Sequence, residues 1–325
     1  VAKLAPGDLA QVLGKLPKQD SRNVIVGFDT ADDAGVFRLN DEVALVQTVD
    51  FFTPISDDPR VFGRVAAINA LNDVYAMGGR PITALSIVCY PQKGDWDVLG
   101  EILAGGQDAL NSENVVVLGG HSVDDQEIKF GYSITGIINP GQVKTNSNAQ
   151  VGDMLVLTKP LGTGVISTGI KFQKARPEAV EAQVRAMTTS AKAASELMVK
   201  HEANACTDIT GFGLLGHAFE MAKGSRKTLK IDSHQIPLLP DVIELIKEKM
   251  LTRGDRNNRN YVGDTLKFAS CVTGEMQSAL FDPQTAGGLL ISIPEEGATE
   301  ILSALPEARI IGRVEEYDGH LLDVS

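Results

Sequence analysis

The sequence predicts two domains in tandem, an α/β half over residues 1–150 and an α+β half over residues 151–325. Three observations carry this reading. The 325 residues, 43% of them hydrophobic, exceed one ordinary core and supply enough apolar material for two. The first half alternates short β-rich runs with helical patterns. A polar, turn-rich stretch over 141–152 then separates it from a half in which strands, glycine loops and helices are mixed.

The elements follow in order. Residues 1–23 predict a loose start and one short helix from Gly7 to Leu16, with Asp8 favourable in its first turn. Val24 to Gly27 reads as a short strand. Asp29, Asp32 and Asp33 follow within five residues, ahead of a strand-like Gly35-Val36-Phe37. A solvated turn is the plain account of such aspartates. Val43 to Val49 is a strand that Asp50 ends, with Phe51 and Phe52 directly after. A carboxylate between a strand and two Phe residues is less typical of a solvated turn.

Arg60 to Met77 is the segment around which the rest is organised. It lacks proline, has no glycine after Gly63, and is apolar on nearly every side, as befits a buried helix. Asn69 and Asp73 interrupt it four residues apart and therefore share a face. Burying that carboxylate is costly unless it meets a cation, a metal or good donors. It either caps a neighbouring loop or serves a ligand. Pro81 stops the helix, and Ile82 to Tyr90 is a buried strand. Asp97 to Asn111 is a helix. Val115 to Leu118 is a strand that ends in Gly119-Gly120 and then His121-Ser122, a place where a backbone or a phosphate can come close. His121 by itself reads as a satisfied core or turn histidine. Phe130 to Ile138 is a strand, turned by Asn139-Pro140-Gly141.

In the second half Met154 to Thr158 begins a strand, and Lys159 to Gly164 is a glycine loop whose lysine reaches a phosphate or simply solvent. Pro177 to Glu202 predicts one long helix. Cys206 to His217 opens another, which runs to about Lys223 and contains Gly211-x-Gly213-x-x-Gly216 followed by Asp232. That is dinucleotide-fingerprint spacing. Asp208 and Thr210 lie where pyrophosphate would sit, so we read the match as a decoy. Asp241 to Lys249 is a helix, Arg253 to Asn260 a basic solvated loop, Leu289 to Ile293 a strand and Thr299 to Leu305 a helix. Arg309 to Val314 and His320 to Val324 are the last strands.

Composition narrows the function. A formal net charge of −12 argues against a nucleic-acid-binding surface. It leaves open a phosphate ligand held through magnesium, because carboxylates hold magnesium and magnesium holds phosphate. Cys89, Cys206 and Cys271 match no zinc spacing and suit a reducing cytoplasm. No apolar run of about 18 residues occurs, so no membrane-spanning helix is expected. No signal-peptide apolar region opens the sequence, and without an initiator Met the natural start is expected upstream. P-loop, protein-kinase and Gly-x-Ser-x-Gly motifs are missing. What remains is a set of aspartates at element ends, Asp33, Asp50, Asp73 and Asp208, suited to several magnesium ions on one polyphosphate.

With these residues in view, the chain resembles the selenophosphate synthetases of the aminoimidazole-ribonucleotide-synthetase-like superfamily. The matching stretches are Asp32-Asp-Ala-Gly-Val36, Thr48 to Pro54, Asn69 to Gly79, Gly119 to Ser122, Leu157 to Gly162, Thr207 to His217 and Asp282 to Gly288. They keep the family order over almost the whole chain and are specific together.

The resemblance implies the superfamily's two-domain fold, with an N-terminal sheet domain forming a homodimer. It also implies a reaction in which selenide, ATP and water give selenophosphate, AMP and phosphate. By motif match Asp33, Asp73 and Asp208 are expected to hold Mg2+, and Asp50 to meet the nucleotide or its metals. Thr30, Ala31, Asp32, Asn69 and Asp73 are expected to line ATP. Gly120, His121 and Ser122 are expected to meet a nucleotide held partly by the other subunit. Lys3 matches the catalytic lysine, suited to stabilising phosphoryl charge. The family's Cys or selenocysteine, three residues before that lysine, falls just upstream of Val1. The alternatives are another ATP-using member of the superfamily and a non-catalytic nucleotide-binding homologue. A hydrogenase-maturation protein would end in a cysteine, whereas this sequence ends Leu322-Asp-Val-Ser325.

Overall fold

The computed structural model describes residues 21–27 and 32–325. The helix expected over Gly7–Leu16, together with Lys3, Asp29, Thr30 and Ala31, lies outside them.

The first sheet is built from β1 (Val24–Val26), β2 (Gly35–Arg38), β3 (Ala44–Phe52), β4 (Arg80–Tyr90), β5 (Val116–Asp124) and β6 (Lys129–Ile138), in the order β1-β2-β3-β6-β4-β5. Among its described strands the parallel pair is β4 with β5, joined by a helical crossover. Helices α1 (Pro59–Ala76) and α2 (Trp96–Ser112) cover one face. The second sheet gathers β7 (Met154–Leu157), β8 (Ala205–Asp208), β9 (Thr228–Ile231), β10 (Leu266–Phe268), β11 (Leu289–Ile293), β12 (Arg309–Glu315) and β13 (Leu322–Val324). Around it stand α3 (Thr163–Lys171), α4 (Pro177–Thr188), α5 (Lys192–Lys200), α6 (Gly213–Ser225), α7 (Val242–Lys247), α8 (Arg253–Val262), α9 (Gly274–Phe281) and α10 (Glu295–Ala304).

Helix α1 is buried from Phe62 to Ala76 except at Arg64, as its all-round apolar sequence requires. Asp58 caps it, accepting from the amides of Arg60 and Val61. Its last turns meet β3 and β6 on one side and α4, α5 and β8 on the other, so one apolar cluster runs from the first sheet into the second. Glycine permits its approach to α2. A Cβ on Gly63 would stand 1.8 Å from the Ile102 carbonyl oxygen, and one on Gly105 would stand 2.0 Å from that of Arg60.

Several sequence expectations are corrected. Asp50 does not end a strand but sits within β3, whose ladder with β6 continues to Phe52. Pro81 does not stop α1. The helix closes at Ala76 and a turn with Gly78 at φ +77 leads into β4, which contains Pro81. Gly119–Ser122 continue β5 because each pairs with β4. The long helix over Pro177–Glu202 is two helices, broken where Thr189 and Ser190 leave helical geometry. Arg253–Asn260 is helix α8 and no solvated loop. Asn258 is buried there and donates to the carbonyls of Gly211 and Phe281, and the Arg259 guanidinium lies over the Phe281 ring.

Candidate active site

The site grows from two periodicities laid side by side. In β3, Thr48 and Asp50 point to the same face because strand side chains alternate. On α1, Asn69 and Asp73 share a face one turn apart. The two spacings, about 7 Å along the strand and about 6 Å along the helix, match. The Thr48 hydroxyl accordingly donates to Asp73 Oδ2 at 2.5 Å, and Asn69 Nδ2 donates to Asp50 Oδ2 at 2.5 Å.

Asp208 ends β8, opposite Leu289 of β11. Asp33, just before β2, accepts from the Thr207 hydroxyl at 3.0 Å and from the Asp208 amide at 3.3 Å. Asp32 accepts from the Asn146 amide at 2.8 Å. Burial, together with the charges of Asp50, Asp208 and Asp33, pushes the Asp73 carboxyl well above the usual carboxylate range, against the Thr48 hydrogen bond. Four carboxylates drawn together at low dielectric repel one another unless cations join them. The donor set is hard oxygen, which suits magnesium.

His217 closes on this group, and one of its ring nitrogens lies within 4.8 Å of ligand atoms of Asp33 and Asp208. Its Nε2 accepts from the Thr210 amide at 3.2 Å, which engages that lone pair in a hydrogen bond. Cys206 is buried beside the same aspartates, and burial pushes its thiol well above the ordinary value, so it is held as a thiol.

The loop Asp282–Gly288 joins the second sheet to α1. The Ala286 amide donates to Asn69 Oδ1 at 2.8 Å, and Asn72 Nδ2 donates to the Gly287 carbonyl at 3.3 Å. Asp282 caps α3, accepting from the amides of Gly164 and Val165. Burial pushes its carboxyl up to about 7 against those hydrogen bonds.

Of the residues expected from sequence, Asp33, Asp50, Asn69, Asp73 and Asp208 come together, with Asp32 beside Asp33. Gly120, His121 and Ser122 do not join them within one chain. Register aligns Asp50 with Tyr132, Tyr132 with Ser86 and Ser86 with Gly120, which sets Gly120 three strands from Asp50, about 14 Å by ordinary strand spacing. Thr48 and Thr207 were not singled out, and no spacing rule marks a threonine as a carboxylate's donor. The solvated alternative for Lys159 does not hold, because its ammonium is buried on two carbonyls. A cation two residues after the apolar run Met154–Leu157 was the available signal. The Gly211–Gly216 spacing has a packing reason. A Cβ on Gly213 would stand 2.7 Å from the Phe281 carbonyl carbon, and one on Gly216 would stand 2.5 Å from Phe212 Cβ.

Comparisons with known proteins agree with this architecture. The sequence matches the family described as AIR synthase related protein, through its N-terminal domain over residues 31–138 and its C-terminal domain over residues 150–324. A selenide, water dikinase of Caldanaerobacter subterraneus subsp. tengcongensis is 47% identical over 98% of this chain and 94% of its own length. One from Clostridioides difficile is 46% identical over 96% of this chain and 92% of its own. Among solved structures, AaThiL complexed with AMPPCP and TMP superposes with a TM-score of 0.72 at 20% identity, covering 98% of this chain and 91% of that one. Hydrogenase maturation protein HypE in complex with ATP gives 0.64 at 19%, covering 92% and 83%. At such identities these structures speak for the fold alone. The near-full-length relatives above 40% identity go further, and the chain belongs to the selenide, water dikinase family of AIR synthase related proteins.

Proposed function

We propose that this chain synthesises selenophosphate from selenide at the expense of ATP, releasing AMP and phosphate. The observation that carries the proposal is the convergence of Asp33, Asp50, Asp73 and Asp208 from β3, α1, β8 and the segment before β2. The names of the curated relatives support selenide as the phosphoryl acceptor.

In this reading Asp33, Asp73 and Asp208 hold Mg2+, and Asp50 faces the nucleotide or its metals, with Asp32 and Asn69 alongside. Bound magnesium would supply the positive charge that lets carboxylates and phosphate oxygens share one site. The chain's own residues do the positioning. Thr48 fixes one oxygen of Asp73, Asn69 turns Asp50, and Thr207 holds Asp33 against Asp208. Lys3, Thr30 and Ala31 complete the assignment by motif. Lys3 stabilises phosphoryl charge, and Thr30 and Ala31 line the nucleotide.

The assembly in this reading is a homodimer in the cytoplasm. The sheet face away from α1 exposes Val49, Phe51 and Leu85, and the edge strand β5 exposes Val116, Leu118 and Val123. A bare apolar face and an open edge of this kind call for a partner. A second copy would also bring its Gly120–Ser122 toward a nucleotide held at Asp50, whereas the same residues of that chain stand about 14 Å from its Asp50 by ordinary strand spacing. Among the described residues no helix is long and apolar enough to cross a membrane.

The test is the nucleotide product with and without selenide. AMP that forms only when selenide is present supports the assignment. Conversion of ATP to ADP regardless of selenide points to the phosphotransfer chemistry of another superfamily member.

A further inference from the structure

Lys159 follows β7 and is 4% exposed, among the least exposed cations described. Among the described residues its ammonium makes no ion pair. It donates to the Thr189 carbonyl at 2.6 Å and to the Ala286 carbonyl at 2.9 Å. Asn72 of α1 bridges the same two segments one step further along. Its Oδ1 accepts from the Ala191 amide at 3.1 Å, and its Nδ2 donates to the Gly287 carbonyl at 3.3 Å. Two buried side chains, one from each half of the molecule, thus tie the link between α4 and α5 to the loop at Ala286–Gly287.

What that loop holds gives the arrangement its consequence. Ala286 has φ +47, a left-handed conformation that a residue with a Cβ adopts only when its surroundings enforce it. In that conformation its amide points at Asn69 Oδ1, 2.8 Å away, while its carbonyl accepts from Lys159. Asn69 has both ends engaged, because its Nδ2 donates to Asp50 Oδ2. The line Lys159–Ala286–Asn69–Asp50 is therefore continuous. Burial lowers the Lys159 pKa to about 7, with the charge of Asp208 opposing. The arrangement survives either protonation state, because a neutral amine keeps two N–H donors for its two carbonyls.

We infer that Lys159 is a positioning residue for nucleotide binding, setting the orientation of Asp50 through the backbone of Ala286 and through Asn69 without touching the nucleotide. The inference rests on the reading that Asp50 faces the nucleotide or its metals. It assigns a task to a side chain that the charge cluster alone does not require.

The test is a double-mutant cycle on the affinity for magnesium and AMPPCP, a non-hydrolysable ATP analogue, measured by isothermal titration on the full chain. Lys159→Met should weaken binding roughly tenfold, the effect of one lost charge-assisted hydrogen bond. Asn69→Ala should weaken it by roughly the same factor or more. The double variant should bind about as the Asn69→Ala variant does, because both substitutions cut one line. Lys159→Gln offers a donor one bond shorter, which reaches at most one carbonyl. It should lose roughly threefold, about half the free energy of the Met variant, and it carries the same cycle if Lys159→Met does not fold. Unchanged affinity in whichever variant folds, or losses that multiply in the double variant, would overturn the inference. Failure of the unaltered chain to bind would overturn the site reading itself and is thereby told apart.

Discussion

Asp73 shows how the chemistry is set at the scale of single residues. Asp73 is 7% exposed, faces three other carboxylates and accepts from the Thr48 hydroxyl. Replacing it with Asn removes a repelling charge while preserving shape. Asp73→Asn should therefore melt at or above the temperature of the unaltered protein yet lose magnesium-dependent ATP turnover. Normal turnover with a normal melting profile would remove Asp73 from the metal site.

Asp282 makes a separate prediction about pH. Its carboxyl is raised to about 7 by burial. Below its unfolded value of about 3.9 both states hold the proton. Between there and about 7 the fold keeps a proton that the unfolded chain releases, so this contribution to stability falls as pH rises. The limit is about 1.4 kcal/mol per pH unit. In urea unfolding at pH 5, 6 and 7, the stability of the unaltered protein relative to Asp282→Asn should decline steadily, and a flat difference would contradict the buried titration. The aspartates were legible in the sequence because charge in an apolar or glycine-rich setting is conspicuous. Lys159 was not, because a lysine in a glycine loop looks solvated until the carbonyls of Thr189 and Ala286 are in place.

At the scale of elements, α1 was legible in length and burial because its sequence has no polar face. Less legible were the breaks. Pro177–Glu202 keeps a helical apolar pattern through Thr189 and Ser190, and the interruption is enforced by tertiary partners, Lys159 on the Thr189 carbonyl and Asn72 on the Ala191 amide. Helix α8 was hidden by its many Asn and Arg residues, poor markers of burial that Asn258 and Arg259 nonetheless satisfy. The close approach of α1 and α2 predicts that Gly105→Ala destabilises by about 1–3 kcal/mol, since its Cβ would meet backbone and not a movable side chain. Gly100→Ala on the same helix, with nothing within 4 Å, should be neutral or stabilising by up to about 1 kcal/mol. Denaturation midpoints of the two variants make the comparison, and equal shifts would contradict the packing described.

At the scale of the whole molecule, the two sheets follow from the alternation of elements, but their joining does not. It depends on Asn69, Asn72 and Asp33, each of which bonds across from one half to the other. The exposed sheet face and β5 predict a dimer, and light scattering at micromolar concentration should give twice the chain mass. Phe51→Lys and Leu85→Lys together should shift the protein toward monomer. A monomer before substitution would contradict this use of the exposed face.

The central claim is that the aspartate cluster carries selenide-dependent phosphoryl transfer. Phosphorus NMR of the products tests it most directly. The reaction would contain magnesium, ATP and selenide, with the chain extended upstream to place a Cys three residues before Lys3. The account predicts selenophosphate, AMP and orthophosphate in equal amounts, and none of the three with Asp73→Asn. ADP as the end product, or selenophosphate formed undiminished by the Asp73→Asn variant, would contradict it.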